Sequence, residues 1–194
     1  PSSGSDYLLQ VDYTASKKLD MYCRIKFERD PEDEAGDTMI IKDIIHMRRM
    51  GLRYHVSYRL TSRLMLQSRI EMTQVNPEEN KISRGLLIYQ DAEYRFDAIP
   101  VVVDFRFAWF NTDDYSSRIY AYEQDLTSGF SFSPLFNEGF RTYVMLRYDV
   151  TPQLSFRVRL ASTSFTHEHT MGSGYDEISG NTRSEIKLQM IARL

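Results

Sequence analysis

The sequence has few of the features that cross-link a chain or anchor it in a bilayer through helices. It contains one cysteine, Cys23, so no disulfide can form within the chain. No stretch of it approaches the ~20 consecutive apolar residues that a transmembrane helix needs. With 42% hydrophobic residues and a net charge of -3, the composition excludes a disordered chain and gives no reason to expect a nucleic-acid binder. Membrane-spanning strands are not excluded, because they carry apolar residues only at alternate positions.

The dominant pattern along the chain has a period of two residues, which is typical of β-strands. Between residues 19 and 28, the apolar side chains of Leu19, Met21, Cys23, Ile25 and Phe27 alternate with polar or charged ones. The same alternation returns at residues 52–60, 101–109, 154–160 and 183–194. A helix would instead need apolar residues three and four positions apart. The sequence therefore predicts an all-β chain.

The alternating segments and the turns between them predict eleven strands, at residues 5–15, 19–29, 41–60, 64–75, 84–96, 101–110, 118–125, 128–135, 140–150, 154–165 and 182–194. Short polar turns and longer acidic or glycine-rich loops alternate along the chain, as they do at the two ends of outer-membrane barrels. If residues 118–135 form two strands, at 118–125 and 128–135, every short turn falls at one end of the barrel and every longer loop at the other. Bacterial single-chain barrels have even strand numbers. An odd number therefore predicts that at least one strand is missing and that residues 1–194 are the C-terminal part of a longer chain.

The chemistry of the two faces decides between a soluble barrel and a membrane barrel. The apolar face is large and aromatic, whereas the polar face is dense in long side chains of both charges. A soluble barrel with this many strands would enclose a wide cavity lined by the aromatic side chains. A membrane barrel turns the aromatic side chains to lipid, and aromatic residues near strand ends, such as Trp109, Phe110, Tyr148 and Phe165, suit the interfacial girdles. The prediction is an antiparallel up-and-down transmembrane β-barrel of about 11–12 strands in this chain, in the bacterial outer membrane.

The charged rows on the polar face are predicted to line the lumen of the barrel. The residues assigned to them are Arg24, Lys26, Arg53, Arg59, Arg69, Glu71, Glu93, Arg95, Asp104, Arg106, Arg147, Arg157, Arg159, Glu185 and Lys187. If the charges pair completely across neighbouring strands, the lumen is closed and the barrel is structural. If arginine is in excess, an anion-preferring channel follows. The excess of Arg and Lys over Asp and Glu in these rows favours the channel.

The second half of the chain resembles a known family. Residues 109–123 (WFNTDDYSSRIYAYE), residues 172–185 (GSGYDEISGNTRSE) and Lys187-Leu188-Gln189 carry the likeness. They resemble the C-terminal β-barrel region of helix-hairpin-helix (ComEA-like) domain-containing outer-membrane proteins of Bacteroidetes. The resemblance implies helical repeats upstream of residue 1, which would hold any contact with DNA. This chain itself is not expected to contact nucleic acid.

Other candidate sites have weaker support from the sequence. His167-Glu168-His169, Asp113-Asp114 and the acidic run at residues 30–34 lack the spacing of a known metal site, so they are interpreted as solvated loops and no metal is predicted. The glycine pair at Gly172 and Gly174 precedes a strand rather than the helix that a phosphate-binding loop requires. His46 and His55 lie on predicted strands, and no arrangement of catalytic residues can be recognised. No cofactor is predicted.

These observations predict a non-catalytic outer-membrane barrel that acts as a pore or as a membrane-anchored component of a larger outer-membrane assembly. The expected partners are outer-membrane lipid and either other outer-membrane subunits or an upstream domain. A barrel-embedded hydrolase and a soluble β-barrel that binds a ligand are the alternatives.

Overall fold

The computed structural model describes residues 3–33, 44–76, 82–127, 129, 131–171 and 177–193. In these ranges the chain is almost entirely β-structure, with one short 3-10 turn at Tyr115–Ser117. The strands are β1 (Ser5–Ser16), β2 (Leu19–Asp33), β3 (Ile44–Arg59), β4 (Leu64–Asn76), β5 (Ser83–Arg95), β6 (Val101–Thr112), β7 (Ile119–Glu123), β8 (Ser131–Leu135), β9 (Glu138–Asp149), β10 (Leu154–Phe165), β11 (Thr170–Met171), β12 (Ile178–Ser179) and β13 (Thr182–Ala192).

Nine of these strands form one antiparallel up-and-down sheet in the order β1-β2-β3-β4-β5-β6-β9-β10-β13. The all-β prediction is confirmed, but the predicted strands at 118–125 and 128–135 are not part of the sheet. They correspond to β7 and β8, which pair only with each other among the described residues. The sheet excludes them because β6 pairs directly with β9 along its length, from Val101↔Tyr148 to Asn111↔Glu138. At five residues each, β7 and β8 are also shorter than the ~9–11 residues with which a strand crosses a bilayer.

The connections between sheet strands differ in length at the two ends of the sheet. Short turns join β1 to β2, β3 to β4, β5 to β6 and β9 to β10. The β3–β4 and β9–β10 turns have the same hydrogen bonds. In each, a threonine hydroxyl, that of Thr61 or Thr151, accepts from the backbone N–H groups two and three residues later. At the opposite end lie the longer connections, including residues 113–137, which contain β7 and β8. We call residues 113–137 the inner hairpin.

The sheet has two chemically distinct faces. We call the face against which the inner hairpin lies the inner face and the opposite one the outer face. On the outer face, central strands expose Phe105, Phe107 and Leu160 by 42%, 44% and 46%, whereas Arg159 on the inner face is 0% exposed. A water-soluble protein shows the reverse distribution, with aromatic residues inside and arginine outside.

An apolar cluster joins the inner hairpin to the sheet near the end with the long connections. Its members come from β5, β6, β7, β8 and β10: Leu87, Tyr89, Ala108, Phe110, Ile119, Ala121, Leu135 and Phe165. The sequence interpretation of Phe110 and Phe165 as girdle residues at the lipid interface is wrong. Both belong to the inner-face register and meet edge to face, with ring centroids 5.9 Å apart, because the inner hairpin covers them there.

Both edges of the sheet are open within the described residues, since β1 pairs only with β2 and β13 only with β10. The described part of the chain contains no helix that is long and apolar enough to traverse a bilayer.

Candidate functional site

All of the charged residues predicted to line a lumen belong to the inner-face register of the sheet. Residues that lie opposite each other on antiparallel strands share a face. Thus Arg24 faces Arg53, Arg53 faces Glu71, and Arg159 faces Lys187 in the strand pairing. Arg59 and Arg95 lie at the short-turn end, where they are exposed, and the other predicted residues line the body of the face.

Ion pairs across β3 to β9 hold much of this charge in fixed geometry. Arg53 donates two hydrogen bonds to Glu71, of 2.8 and 2.7 Å, and Arg106 donates two to Asp91, both 2.6 Å. Such two-pronged contacts fix the orientation of a guanidinium group as well as its position. Within each pair the two charges neutralise each other, and the fixed contacts make the centre of the wall rigid.

A second set of ion pairs ties the inner hairpin to the sheet. Glu123 of β7 accepts hydrogen bonds from Arg141 of β9, of 2.5 and 2.8 Å, and from Arg159 of β10. Arg159 also donates to Glu185 at 2.7 Å and to the carbonyl oxygen of Gln124 at 3.0 Å. Beyond the end of β7, Asp125 accepts a hydrogen bond of 2.9 Å from Lys187. The hairpin is therefore held by apolar contacts at one end and by buried charge pairs at the other.

Arg141 and Glu123 were not among the residues predicted from the sequence. Arg141 lies in a segment where Arg141, Tyr143, Met145 and Arg147 share one face, so that polar and apolar residues mix and the alternation is hidden. The alternation predicts a wall strand for Glu123, whereas the structure has this residue at the end of β7 in the inner hairpin. An inward acidic residue on a segment too short to span the bilayer is the signal that could have identified it.

Between β2, β3, β4 and the start of the inner hairpin lies a cavity of about 270 Å³. Its lining includes five cationic side chains, Arg24, Lys26, Arg49, Arg53 and Arg118, and two carboxylates, Glu28 and Glu71. The sequence reasoning missed Arg49 because the adjacent pair Arg48-Arg49 interrupts the alternation on β3. It missed Arg118 because only the folded-in hairpin brings residue 118 opposite β3.

The loop residues considered as metal or catalytic candidates have structural contacts in the described part of the chain. Asp114 caps the 3-10 turn by accepting from the backbone of Ser116 at 2.8 Å, and Asp113 accepts from the backbone of Arg84 at 2.9 Å. His167 lies 3.3 Å from Glu138. No group of three metal-ligating side chains occurs among the described residues. Glu34, Gly172 and Gly174, and the side chains of Glu32, Asp33 and His46, lie outside what is described.

His55 is on the inner face, stacked on Tyr22 with ring centroids 5.0 Å apart. Within the described ranges, it makes no hydrogen bond to a serine or a carboxylate, which a nucleophile–base arrangement would require.

Comparison with known proteins identifies the architecture. No family model and no curated protein matches the sequence. Among solved structures, the chain is similar to an anion-selective porin from Comamonas acidovorans, with a TM-score of 0.59 and 8% identity over 94% of this chain and 47% of that one. It is also similar to a loop L8 deletion mutant of OmpT, an outer membrane protein of Vibrio cholerae, with a TM-score of 0.60 and 9% identity over 97% of this chain and 53% of that one. The fold is that of an outer-membrane β-barrel.

The chain spans about half the length of these two structures, 47% and 53%. At such low identity the likeness concerns the course of the strands and carries no residue roles across.

Proposed function

We propose that this chain forms part of the wall of a non-catalytic pore in the bacterial outer membrane, and that the pore favours anions. The inner hairpin narrows the pore from within. The observation that carries the proposal is the contrast between the two faces, because an exposed aromatic outer face and a charged, covered inner face suit lipid outside and water inside.

The surplus of positive charge on the inner face supports the preference for anions. Four carboxylates of the wall, Glu71, Asp91, Asp104 and Glu185, are taken up in ion pairs with Arg53, Arg106, Arg147 and Arg159. By contrast, no carboxylate lies within ion-pair distance of Arg24, Arg49, Arg118 or Arg157 in the described part of the chain. Rows of uncompensated cationic side chains select anions in pores. One of the structurally similar proteins is itself an anion-selective porin.

A pore requires the open sheet edges to be closed by further strands. In hydrocarbon, the unpaired N–H and C=O groups of β1 and β13 would each cost several kcal/mol. Because β1 and β13 are the first and ninth strands of an up-and-down sheet, they run in the same direction. Only an odd number of additional strands therefore closes the barrel with every pair antiparallel. We infer that strands beyond residues 1–194 supply this odd number.

The proposal is tested by reconstituting the full-length protein in planar lipid bilayers with a KCl gradient across the membrane. We expect stepwise currents with a reversal potential on the anion-selective side. The matched test replaces the uncompensated Arg157 with glutamine, which should shift the reversal potential towards that of a less selective pore.

A non-conducting, membrane-anchored component of a larger assembly is the second candidate. The ion pairs that hold the inner hairpin against the wall favour it, since they obstruct the lumen. Folded barrels that insert into the bilayer and pass no current would overturn the pore and support this candidate.

A further inference from the structure

The cavity between β2–β4 and the inner hairpin combines a small volume with a local excess of positive charge. Its volume of about 270 Å³ corresponds to roughly nine water molecules at ~30 Å³ each. It therefore has room for one small ion with part of its hydration shell. The lining has five cationic side chains and two carboxylates, a formal excess of three positive charges, and a further carboxylate, Asp6, contacts Lys26 at 3.1 Å from outside the lining.

The two carboxylates in the cavity are already occupied. Glu71 accepts both hydrogen bonds from Arg53, and Glu28 accepts one from Lys26. Their charge thus neutralises Arg53 and Lys26 and leaves Arg24, Arg49 and Arg118.

The three remaining guanidinium groups are held by neutral acceptors. Arg24 donates to the side-chain oxygen of Gln10 at 2.7 Å, and Arg49 donates to the backbone oxygen of Ser116 at 3.0 Å. Arg118 donates to the hydroxyl of Tyr120 at 2.8 Å and to the backbone oxygen of Tyr115 at 2.9 Å. Neutral acceptors fix the direction of a guanidinium group without cancelling its charge, so its remaining N–H donors stay available. Preorganised donors of this kind lower the ordering cost of binding an anion.

Gly51 keeps the cavity open. It lies on the inner face of β3, opposite Lys26 and Thr73, and the closest atom to a Cβ built at this position is 4.0 Å away. A side chain at residue 51 would therefore enter the cavity without colliding with the backbone.

We propose that this cavity is a binding site for a small oxyanion of the phosphate class, held by Arg24, Arg49 and Arg118. Guanidinium groups match the geometry of phosphate and carboxylate oxygens through paired N–H donors, and they bind such anions more specifically than a spherical ion. The site rests on the proposed function in one respect, since the pore provides the route by which the anion arrives. Oxyanions of the phosphate class would then be the solutes that the pore retains.

The test measures binding of inorganic phosphate to the full-length protein in uncharged detergent, by isothermal titration calorimetry at constant chloride concentration. We expect Arg24→Gln, Arg49→Gln and Arg118→Gln each to weaken phosphate binding by about tenfold, as expected from the loss of a charge-assisted hydrogen bond. Arg157→Gln removes an uncompensated charge from the same face outside the cavity, so it should change the affinity by less than about twofold. Gly51→Leu keeps every charge and should weaken phosphate binding, because the leucine side chain takes up part of the cavity.

Two results would overturn the site. One is an equal loss of affinity in Arg157→Gln and in the three cavity variants, because the anion would then respond to the overall charge of the face. The other is unchanged phosphate binding in Gly51→Leu when circular dichroism shows a native sheet. Since binding is measured without a membrane current, protein that binds phosphate but does not conduct would retain the site and overturn the pore. Anion-selective currents without phosphate binding would overturn the site and retain the pore.

Discussion

At the scale of single residues, Arg106 is a buried charged side chain whose contacts fix several parts of the inner face relative to one another. Its guanidinium group makes two hydrogen bonds to Asp91 and a third, of 2.6 Å, to the backbone oxygen of Tyr122 in the inner hairpin. The ring of Tyr89 lies beneath it, 3.8 Å from the ring centroid to the guanidinium carbon. One side chain thereby joins two wall strands and the hairpin, which a point charge on a flexible stem cannot do.

Arg106→Lys should therefore lower the free energy of unfolding although the charge is kept. We expect a loss of about 2 kcal/mol, because a lysine replaces neither the paired contact with Asp91 nor the contact with the hairpin. Arg95→Lys is the matched control, since Arg95 is exposed and pairs only with Glu93 on its own strand among the described residues. The control should change stability by less than about 0.5 kcal/mol. Urea unfolding of the full-length protein in lipid vesicles measures both, and equal losses would contradict the role given to Arg106.

At the scale of secondary-structure elements, the approach of the inner hairpin to the wall depends on Gly85. A Cβ at this position would lie 2.4 Å from the backbone oxygen of Ser117 and 2.8 Å from the Cγ2 atom of Thr73. Backbone cannot move aside as the end of a flexible side chain can. The 3-10 turn is therefore able to lie on β5 only because residue 85 has no side chain.

We expect Gly85→Ala to cost about 1–3 kcal/mol of stability through this overlap. Gly51→Ala is the control on the neighbouring part of the face, where the nearest atom is 4.0 Å away. Alanine in an open strand position is neutral or slightly stabilising, by up to ~1 kcal/mol. Chemical denaturation of both variants decides the matter, and a Gly85→Ala protein as stable as Gly51→Ala would show that the hairpin does not rest on β5.

Glu123 is the residue through which the hairpin is held at its other end. Glu123→Gln leaves Arg141 and Arg159 buried without the carboxylate that both contact, a defect that typically costs about 3–5 kcal/mol. Since each ~1.4 kcal/mol raises the population of the opened state about tenfold, chymotrypsin should cut at the aromatic residues of the hairpin at least tenfold faster. The single-channel conductance should rise as well.

Glu185→Gln is the matched control for that experiment. Glu185 contacts the same Arg159 but belongs to β13, and Glu123 remains in place in this variant. The hairpin should stay docked and resist chymotrypsin like the unaltered protein. Cleavage that is as fast in Glu185→Gln as in Glu123→Gln would show that the hairpin is not held through Glu123.

The sequence predicts the wall strands of this fold but not the inner hairpin. Strict alternation locates the wall strands within a few residues, because one face meets an apolar surrounding and the other a polar one. Ile119, Ala121 and Glu123 alternate with Tyr120 and Tyr122 in the same manner, so periodicity alone assigns β7 to the wall. The pairing of β6 with β9 across 25 intervening residues is a tertiary choice that no local pattern encodes.

The residues of the candidate site fall into the same two groups, those on the wall strands and those on the inner hairpin. Wall residues such as Arg53 and Glu71 follow from alternation, because strand register alone places them side by side. Arg118 and Glu123 take their places only through the fold of the hairpin. Neither the β3 residues that share the cavity with Arg118 nor the partners of Glu123 on β9 and β10 can therefore be deduced from spacing. Phe110 shows the same limit, since its position near a strand end suggests an interfacial residue until the hairpin covers it.

At the scale of the whole molecule, the orientation of the sheet towards lipid gives the clearest prediction, and Cys23 is a natural probe of it. Its thiol is exposed on the outer face, between Val11 and Tyr54 on the neighbouring strands. A nitroxide attached to Cys23 in the reconstituted protein should collide more often with oxygen, which concentrates in lipid, than with a water-soluble nickel chelate. In a Cys23→Ser background, Ser57→Cys places the label on the inner face and should reverse that preference. A label at Cys23 that favours the nickel chelate would mean that water covers the aromatic face, and the soluble β-barrel would then replace the membrane one.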